Sequence, residues 1–456
     1  MHRCQAGGVD RRPNGRGEEK AKRDMKTSNH IRGRTSGAIR TAVAFSALVF
    51  GGTMVGVATG GPAVAATKTV TLQYWNTYNQ ADKEFSTMAK VIIPRFERLN
   101  PGIKVVPLYV PYGDLLAKFI AASAAGNPPD VLRSDIAWVA QLAQEGLAVN
   151  VGRLKAFAAI KKAELPGPLA TSEVKGQYWA FPCDTNTQAL YWNKALFAAA
   201  GISGPPTTID QLVSDAQALT VPSKQQYGLG VDGTDIWNMA PYIWSMGGSF
   251  TNANYTRASG YMDSSATVTA VTTLVNLLRA GDIGSDFQGG ASAVSGETGF
   301  PKGEYAMYID GPWAVPTYQE EHFSDYGIAP FPSGVAGSIS TVGGEDNIVA
   351  KDGHHIADAE KFAEFLAGPF AQLQMAKQGD MSAMKTDAAN EVKATPYYKV
   401  FAHQLLTARI RANSPGYSQL DSDWSNEMGK ILAGDVSVKV GLQTAAQESD
   451  AALAGS

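Results

Sequence analysis

Amide and carboxylate side chains follow the predicted strands in the N-terminal half of this chain. Asn79 and Gln80 come after the first predicted strand. Asp135 comes after the third, and Asp184 with Asn186 comes after a later one. Each of these side chains is planar and offers two hydrogen-bonding atoms, which suits a ligand covered with hydroxyl groups. Because parallel sheets bind ligands at the carboxyl ends of their strands, we expect these side chains to share one site.

The pattern of apolar residues predicts alternating strands and helices that position these loops. The first elements are strands over residues 70–75, 103–110 and 130–132, and helices over residues 84–99, 114–125 and 137–145, the first of which has a break or start at Pro94. Later elements are strands over residues 178–182, 228–231 and 305–309, and helices over residues 193–200, 209–219, 265–280 and from 357 onward. The β-α-β-α-β order at the start predicts an α/β fold with a mostly parallel sheet covered by helices.

The composition is that of a folded, exported protein. The 456 residues are 44% hydrophobic and 18% charged, which disfavours a disordered chain and a coiled coil. An apolar run over residues 42–57 follows a basic stretch and leads into Ala63-Val64-Ala65-Ala66, the pattern of a signal peptide. The run is shorter than the ~20 residues of a membrane span. We expect residues 1–66 to be an N-terminal extension and signal peptide, with translation starting at Met1 or Met25.

The charge disfavours a nucleic-acid-binding protein, and the cysteine content disfavours a disulfide, a cysteine metal site and a lipid anchor. Residues 1–66 hold 11 of the 39 Lys and Arg and 4 of the 42 Asp and Glu, so 28 basic and 38 acidic residues remain, a net charge of about −10. This charge disfavours a nucleic-acid partner. Cys4 falls in the removed segment and Cys183 stands alone, so we expect no disulfide and no cysteine metal site. No cysteine lies near Ala66, so a lipid anchor is not expected.

The same residues are compatible with another function and with other ligands. Carboxylates beside aromatic residues also describe a glycoside hydrolase. A polyol, a phosphorylated polyol, a peptide or a polyamine is an alternative ligand, although Arg133 alone near the candidate loops disfavours an anion. The G-x-G-x-x-G match at residues 228–233 begins inside a predicted strand and lacks the later acidic residue, and His354-His355 lacks metal-spaced partners. We therefore expect no cofactor and no metal.

Several segments resemble the extracellular solute-binding proteins of carbohydrate ABC importers, the family that includes the maltose-binding protein. The most specific is KGEYAMYIDGPWA at residues 302–314, which is similar to the family's strand-to-loop segment ending in a sugar-stacking Trp. The others, in chain order, are Tyr74-Trp75, Asn100-Pro101-Gly102-Ile103, Gly126-Asn127-Pro128-Pro129-Asp130-Val131, Tyr178-Trp179-Ala180-Phe181-Pro182 and Leu190-Tyr191-Trp192-Asn193-Lys194. Together they span nearly all of the chain after the signal segment.

The resemblance implies a periplasmic-binding-protein-like type II fold, with two discontinuous α/β lobes joined by a hinge and a ligand cleft between them. The chain would cross between lobes near residues 183–188, 326–330 and 380–384. The expected boundaries are residues 67–184 and 326–379 for the first lobe, and residues 185–325 and the C-terminal helices 380–456 for the second. The implied protein is a monomer and not an enzyme. It would bind a neutral mono- or oligosaccharide outside the cell and deliver it to the membrane-spanning subunits of an ABC importer.

The resemblance also implies aromatic binding residues. Trp313 would lie beneath a sugar ring, with a core position as the alternative. Asp235 and Trp237 would contribute an acid and an aromatic ring from the second lobe, unless they are a loop acid and a packed side chain. Trp424 would close the cleft from the C-terminal helices, although a Trp at helical spacing is also typical of a core.

A glycine loop completes the implied site. Gly344, Glu345 and Asp346 resemble the loop that returns to the first lobe, and the two acids are either cleft acceptors or a solvated turn. Asn79 and Gln80 are neutral amides where the family often has charged residues. The resemblance therefore does not assign the sugar hydroxyls that these amides would contact.

Overall fold

The computed structural model describes residues 69–78, 83–289, 293–386, 390–391 and 395–454. The predicted signal segment, residues 1–66, and the predicted site residues Asn79 and Gln80 lie outside these ranges. Within the described ranges, no helix has both the length and the apolar character that a membrane span requires.

The described strands are short and form two main sheets. They are β1 Val70–Asn76, β2 Ile103–Tyr109, β3 Val131–Asp135, β4 Glu173–Val174, β5 Gln177–Tyr178, β6 Phe181–Pro182, β7 Asn186–Thr187, β8 Ala189–Asn193, β9 Tyr227–Gly230, β10 Tyr305–Asp310, β11 Tyr326–Ala329, β12 Val342–Gly343 and β13 Glu345–Val349.

Helices connect and cover these strands. They are α1 Lys83–Thr87, α2 Ile93–Leu99, α3 Tyr112–Ala124, α4 Val139–Gln144, α5 Phe157–Ala163, α6 Pro166–Thr171, α7 Lys194–Ala199, α8 Ile209–Leu219, α9 Ile236–Ser245, α10 Ser265–Ala280, α11 Gly296–Gly299, α12 Ala314–Glu320, α13 Ile356–Leu366, α14 Pro369–Ala376, α15 Tyr398–Leu405, α16 Tyr417–Ala433 and α17 Val438–Ala454. The helix predicted over residues 84–99 is divided into α1 and α2 by a π-helical turn, Met88–Ile92.

The first sheet has the strand order β2-β1-β3-β13-β6. Strand β1 runs parallel to β2 and β3, whereas β13 and β6 are added antiparallel. Leu72 and Tyr74 of β1 are fully buried and alternate with exposed Thr71 and Gln73, the period expected for a strand with one face in a core. Tyr74 packs edge-on against Phe362 of α13, so helices cover this sheet.

The second sheet has the strand order β11-β8-β10-β9. Strand β8 is antiparallel to β10 and β11, and β10 is parallel to β9. Every residue of β10 is buried. A large apolar core packs against this sheet and includes residues of α8, α9, α10, α16 and α17. Its largest fully buried side chain, Trp424 of α16, lies edge-on against Phe250 with ring centroids 4.8 Å apart.

The two sheets are linked by a short antiparallel ladder of β7 and β12. The chain leaves the first sheet after β6 and enters the second at β8, so the first crossing runs through residues 183–188. It returns to the first sheet at β13, after β12. A third connection passes Met381, which forms a β-bridge with Thr185 beside this ladder.

The predicted second crossing at residues 326–330 is placed too early. Strand β11 pairs with β8, with Tyr326 opposite Asn193 and Ile328 opposite Tyr191, so residues 326–329 belong to the second lobe. The return to the first lobe follows β12, at Val342–Gly343. Aromatic packing explains the difference, because the Tyr326 ring lies 6.0 Å from the Tyr191 ring in the core of the second lobe.

Candidate functional site

A cavity of about 430 Å³ lies beside the hinge ladder and is lined by residues of both lobes. Several of these residues lie at or just after the carboxyl ends of β3, β9 and β10, where α/β sheets bind ligands. The lining residues are Glu84, Tyr112, Arg133, Asp135, Asn186, Asp235, Trp237, Asn238, Trp313, Gly343, Gly344, Glu345, Asp380, Arg411, Tyr417 and Asp421. We call this cavity the cleft.

Most of the described residues predicted for the site line the cleft. They are Asp135, Asn186, Asp235, Trp237, Trp313, Gly344 and Glu345. Asp184 lies behind the cleft, where it is buried and accepts a hydrogen bond from Arg133. Asp184 therefore positions Arg133, which lines the cleft, and does not line the cleft itself.

Two predicted site residues point away from the cleft. Asp346 is buried and accepts a hydrogen bond from Thr171 at 3.3 Å, because neighbouring residues of a strand face opposite sides and Glu345 takes the cleft side. Trp424 is in the core, and its Nε1 donates to the carbonyl of Thr234 at 2.7 Å. The prediction that Trp424 closes the cleft is therefore corrected, since Asp421, one helical turn earlier on α16, lies there instead.

The cleft has an aromatic wall formed by Trp237 and Trp313. Their ring centroids are 6.3 Å apart and their planes differ by 31°. With the Gln188 amide oriented to satisfy both groups, its oxygen accepts from Nε1 of Trp237 at 3.0 Å and its nitrogen donates to the Trp237 carbonyl at 3.1 Å. A Cβ on Gly311 would lie 2.0 Å from the Trp313 ring, so glycine at this position lets the indole fold back over the loop.

Arg133 of β3 organises the first-lobe side of the cleft. Its Nη2 donates to Glu345 at 2.8 Å and to Asp184 at 3.0 Å, and its Nη1 donates to Thr77 Oγ1 at 2.7 Å. The guanidinium group also lies 4.2 Å from the centre of the Tyr78 ring. Burial raises the pKa of Glu345 well above its ordinary value, and the Arg133 charge opposes this shift. The single positive charge of Arg133 thus stabilises the carboxylates of both Glu345 and Asp184.

Arg411 organises the opposite side. Its Nη2 donates to both carboxylate oxygens of Asp135, at 2.8 and 3.0 Å, and the Tyr112 hydroxyl donates to the same carboxylate at 2.8 Å. The guanidinium carbon lies 5.4 Å from the Trp237 ring centre and 5.6 Å from that of Tyr417. Asp135 ends β3 of the first lobe and Arg411 precedes α16 of the second, so this ion pair joins the two lobes.

Asp235 and Asp421 form a carboxylate pair at the start of α9. Asp235 accepts from the backbone N–H of Asn238 at 3.2 Å and from its side chain at 2.7 Å, and Asp421 accepts from the N–H of Ile236 at 2.7 Å. Burial raises the pKa of Asp235. Burial and the neighbouring Asp235 carboxylate together raise the pKa of Asp421 to about 7.

Some buried polar atoms of the lining have no hydrogen-bond partner within the described part of the chain. They are Nε of Arg133, Oδ1 of Asn186, Oδ2 of Asp380 and Nε of Arg411. Each of these residues is at least 94% buried. Buried polar groups are normally paired, so these four atoms are hydrogen-bonding capacity that the described residues leave unused.

Comparison with known proteins identifies the family. The family described as bacterial extracellular solute-binding protein matches residues 79–373, more than half of the chain. The chain belongs to this family. This solute-binding protein is 26% identical to a multiple sugar-binding protein of Streptococcus mutans over 374 residues, which cover 78% of this chain and 83% of that protein. It is also 22% identical to the sn-glycerol-3-phosphate-binding periplasmic protein of Rhizobium meliloti over 416 residues, covering 84% and 94%.

Solved structures confirm the predicted fold class of this solute-binding protein. The GacH receptor of Streptomyces glaucescens superimposes with a TM-score of 0.74 at 24% identity, covering 84% of this chain and 97% of that one. The type II periplasmic-binding-protein fold is therefore shown.

Sequence reasoning missed several lining residues of this solute-binding protein. Arg411, Tyr417 and Asp421 lie before or at the start of α16, and Tyr112 starts α3. Tyr112 lies two residues after the strand predicted over residues 103–110, whereas Arg411, Tyr417 and Asp421 follow no predicted strand. Helical spacing could have found Asp421, because it lies three residues before the buried Trp424. Within the described ranges, no group of three or more His, Cys, Asp and Glu residues is arranged to hold a metal ion.

Proposed function

We propose that this solute-binding protein is the extracellular substrate-binding component of an ABC-type importer and that it binds a mono- or oligosaccharide in the cleft. The aromatic wall of Trp237 and Trp313 carries this proposal. A sugar ring has a face of C–H bonds that packs on an indole and an edge of hydroxyls that needs polar partners. The carboxylates and guanidinium groups around the wall supply those partners.

The size and polarity of the cleft support a ligand of this kind. Its volume of about 430 Å³ falls within the usual range of small-molecule sites, ~300–1,000 Å³. A hydrogen bond to a charged group contributes ~1.5–3 kcal/mol and a neutral one ~0.5–1.5 kcal/mol. A handful of such bonds outweighs the cost of ordering the ligand and allows micromolar binding, about −8 kcal/mol.

The ligand would contact both lobes. Glu345 and Arg133 face the cleft from the first lobe, while Trp237 and Trp313 face it from the second. A ligand that contacts both binds the closed form more tightly and shifts the hinge equilibrium towards closure. In this proposal the membrane-spanning subunits of the importer recognise the closed, loaded form of the exported protein.

An anionic ligand such as glycerol phosphate is disfavoured, although one relative is named for binding it. Both arginines of the cleft already bind carboxylates: Arg133 binds Glu345 and Asp184, and Arg411 binds Asp135. A phosphate would have to displace these partners and leave carboxylates buried without a counter-charge.

A thermal-shift screen of the purified protein tests the proposal. The panel contains monosaccharides, disaccharides, maltodextrins and glycerol 3-phosphate. A ligand at 100 times its dissociation constant stabilises the folded state by about 2.7 kcal/mol. We expect a shift with at least one saccharide and none with glycerol 3-phosphate. The absence of a shift with every saccharide contradicts the proposal, and shortened products from a bound oligosaccharide would favour a hydrolase instead.

A further inference from the structure

Acidic groups outnumber basic ones in the cleft. Six carboxylates and two guanidinium groups line it, and the described lining contains no lysine or histidine. The carboxylates are Glu84, Asp135, Asp235, Glu345, Asp380 and Asp421. Burial raises the pKa of four of these six carboxyl groups, so a cation bound among them would favour their ionised form.

The two arginines of the cleft form their salt bridges with carboxylates other than Asp235 and Asp421, although the Arg411 charge lowers the pKa of both. Arg411 is held by both oxygens of Asp135, and Arg133 is surrounded by Asp184, Glu345 and Asp380 on the other side of the cleft. Among the described residues, neither Asp235 nor Asp421 forms an ion pair.

The pair has free hydrogen-bonding capacity. Asp421 uses Oδ1 to accept from Ile236, while its Oδ2 accepts no hydrogen bond from the described residues. The positive end of the α9 helix dipole stabilises part of the charge, but it supplies only a fraction of one elementary charge for two carboxylates. A protonated amine between them would supply a full positive charge and up to three N–H donors.

A further lining residue of the cleft has unused acceptor capacity. Among the described residues, no group donates a hydrogen bond to Oδ1 of Asn186, whose side chain lines the cleft and is 6% exposed. Trp237 follows Ile236 in the first turn of α9 and adds an aromatic ring, to which an ammonium group is also attracted.

We propose that the saccharide bound here carries a basic amine, and that its ammonium group lies at Asp235 and Asp421. The inference rests on the proposed saccharide-binding function and specifies the class of sugar. The sequence alone favoured a neutral sugar, because the position of Asp421 in the cleft and the pairing of both arginines are visible only in the structure. The hydroxyls of such a ligand still meet the remaining polar groups, and its ring face still meets the aromatic wall.

Calorimetric titration of matched sugars tests this inference. The probes are glucosamine, galactosamine, mannosamine and the β-1,4-linked dimer of glucosamine, each compared with its N-acetylated and parent neutral sugar at pH 7. We expect at least one amino sugar to bind about tenfold or more tightly than both of its matched partners. If neutral sugars bind and no amino sugar exceeds its partners, the inference is wrong and the saccharide function stands. If no saccharide of any kind binds, the proposed function fails as well.

Two variants on one helix locate the amine. Asp421→Asn removes one carboxyl group from the cleft lining, and Asp423→Asn makes the same substitution at a buried residue of α16 outside that lining. We expect the preference for the amine to disappear in Asp421→Asn and to persist in Asp423→Asn. An unchanged preference in a folded Asp421→Asn protein overturns the assignment of this pair. If that variant does not fold, Asp235→Asn and the wild-type comparison of matched sugars decide the question.

Discussion

Arg411 of the second lobe holds Asp135 of the first through two hydrogen bonds, at 2.8 and 3.0 Å, from one guanidinium nitrogen. Both side chains are buried, so the ion pair is shielded from water. A second contact lies nearby, where the Ser418 hydroxyl donates to the side chain of Gln141 at 2.8 Å. These contacts fix the start of α16 against the carboxyl end of β3. These contacts therefore join the two lobes beside the cleft.

Breaking this ion pair is expected to destabilise the protein. Arg411→Met removes the cation and leaves Asp135 buried without it, which lowers the free energy of unfolding by about 3 kcal/mol. Arg409→Met, at an exposed position in the same segment, is the control and changes stability by less than about 0.5 kcal/mol. Urea unfolding of both variants measures the difference. Equal stability of the two would show that the pair contributes nothing.

Substitution of Trp313 is expected to abolish ligand binding, whereas substitution of Trp424 is expected to lower stability. Trp313→Ala removes a half-buried ring from the cleft, so saccharide binding is lost while the ligand-free melting temperature changes little. Trp424→Ala removes a fully buried ring and costs ~3–5 kcal/mol of stability. Thermal unfolding with and without ligand separates the two. A larger loss of ligand-free stability in Trp313→Ala than in Trp424→Ala would contradict these positions.

The loop at Gly344 is expected to tolerate no side chain. Gly344 has φ +125°, and a Cβ there would lie 2.6 Å from the carbonyl oxygen of Asp184. Gly337 has φ +99° with open space around it, so Gly337→Ala carries the conformational cost alone, about 1 kcal/mol. Gly344→Ala should cost more and should also weaken ligand binding, because Glu345 follows directly. Unfolding and titration of both variants provide the test. A similarly small loss of stability in both variants would argue against a close approach of the Gly344 backbone to the Asp184 carbonyl.

The free energy of unfolding is expected to fall as the pH rises, because the second lobe contains a buried carboxyl group with a raised pKa. Burial and the Asp232 charge raise the pKa of Asp286 to about 8, whereas an unfolded Asp titrates near ~3.9. The folded state therefore holds the proton more tightly, and this contribution is lost between about pH 4 and pH 8, by up to ~1.4 kcal/mol per pH unit.

The Asp286→Asn variant checks this dependence. An asparagine oxygen can still accept from the backbone N–H of Val231, which donates to Asp286 at 2.6 Å, but the site no longer titrates. We expect the difference in free energy of unfolding between pH 5 and pH 8 to shrink in this variant. Asp210→Asn, an exposed carboxylate of α8, serves as the control for removing one charge. An unchanged difference in Asp286→Asn would mean that Asp286 does not titrate in this range.

The sequence was informative where local pattern decides structure. Alternating apolar residues predicted β1, and the GPW segment predicted that Trp313 follows a buried strand, as β10 shows. Strand alternation also explains why Glu345 and Asp346 face opposite sides. A strict use of this alternation would have placed only Glu345 in the cleft.

Other features depend on contacts between distant parts of the chain. Arg411 and Asp135 are 276 residues apart, and no local pattern links them. Strand β11 was assigned to the wrong lobe because its partner, β8, is chosen by packing of Tyr326 against Tyr191 rather than by sequence order. Trp424 and Asp421 lie on one helix, and which of them faces the cleft depends on how α16 is rotated against the second lobe.

Calorimetric titration of the wild-type protein and of Trp313→Ala with the saccharide panel tests the central claim most directly. The wild-type protein is predicted to bind at least one saccharide with one saturable site, and Trp313→Ala is predicted to lose that binding while remaining folded. Binding of no saccharide, or equal saccharide binding by both proteins, would contradict the claim that the wall of Trp237 and Trp313 is a sugar site.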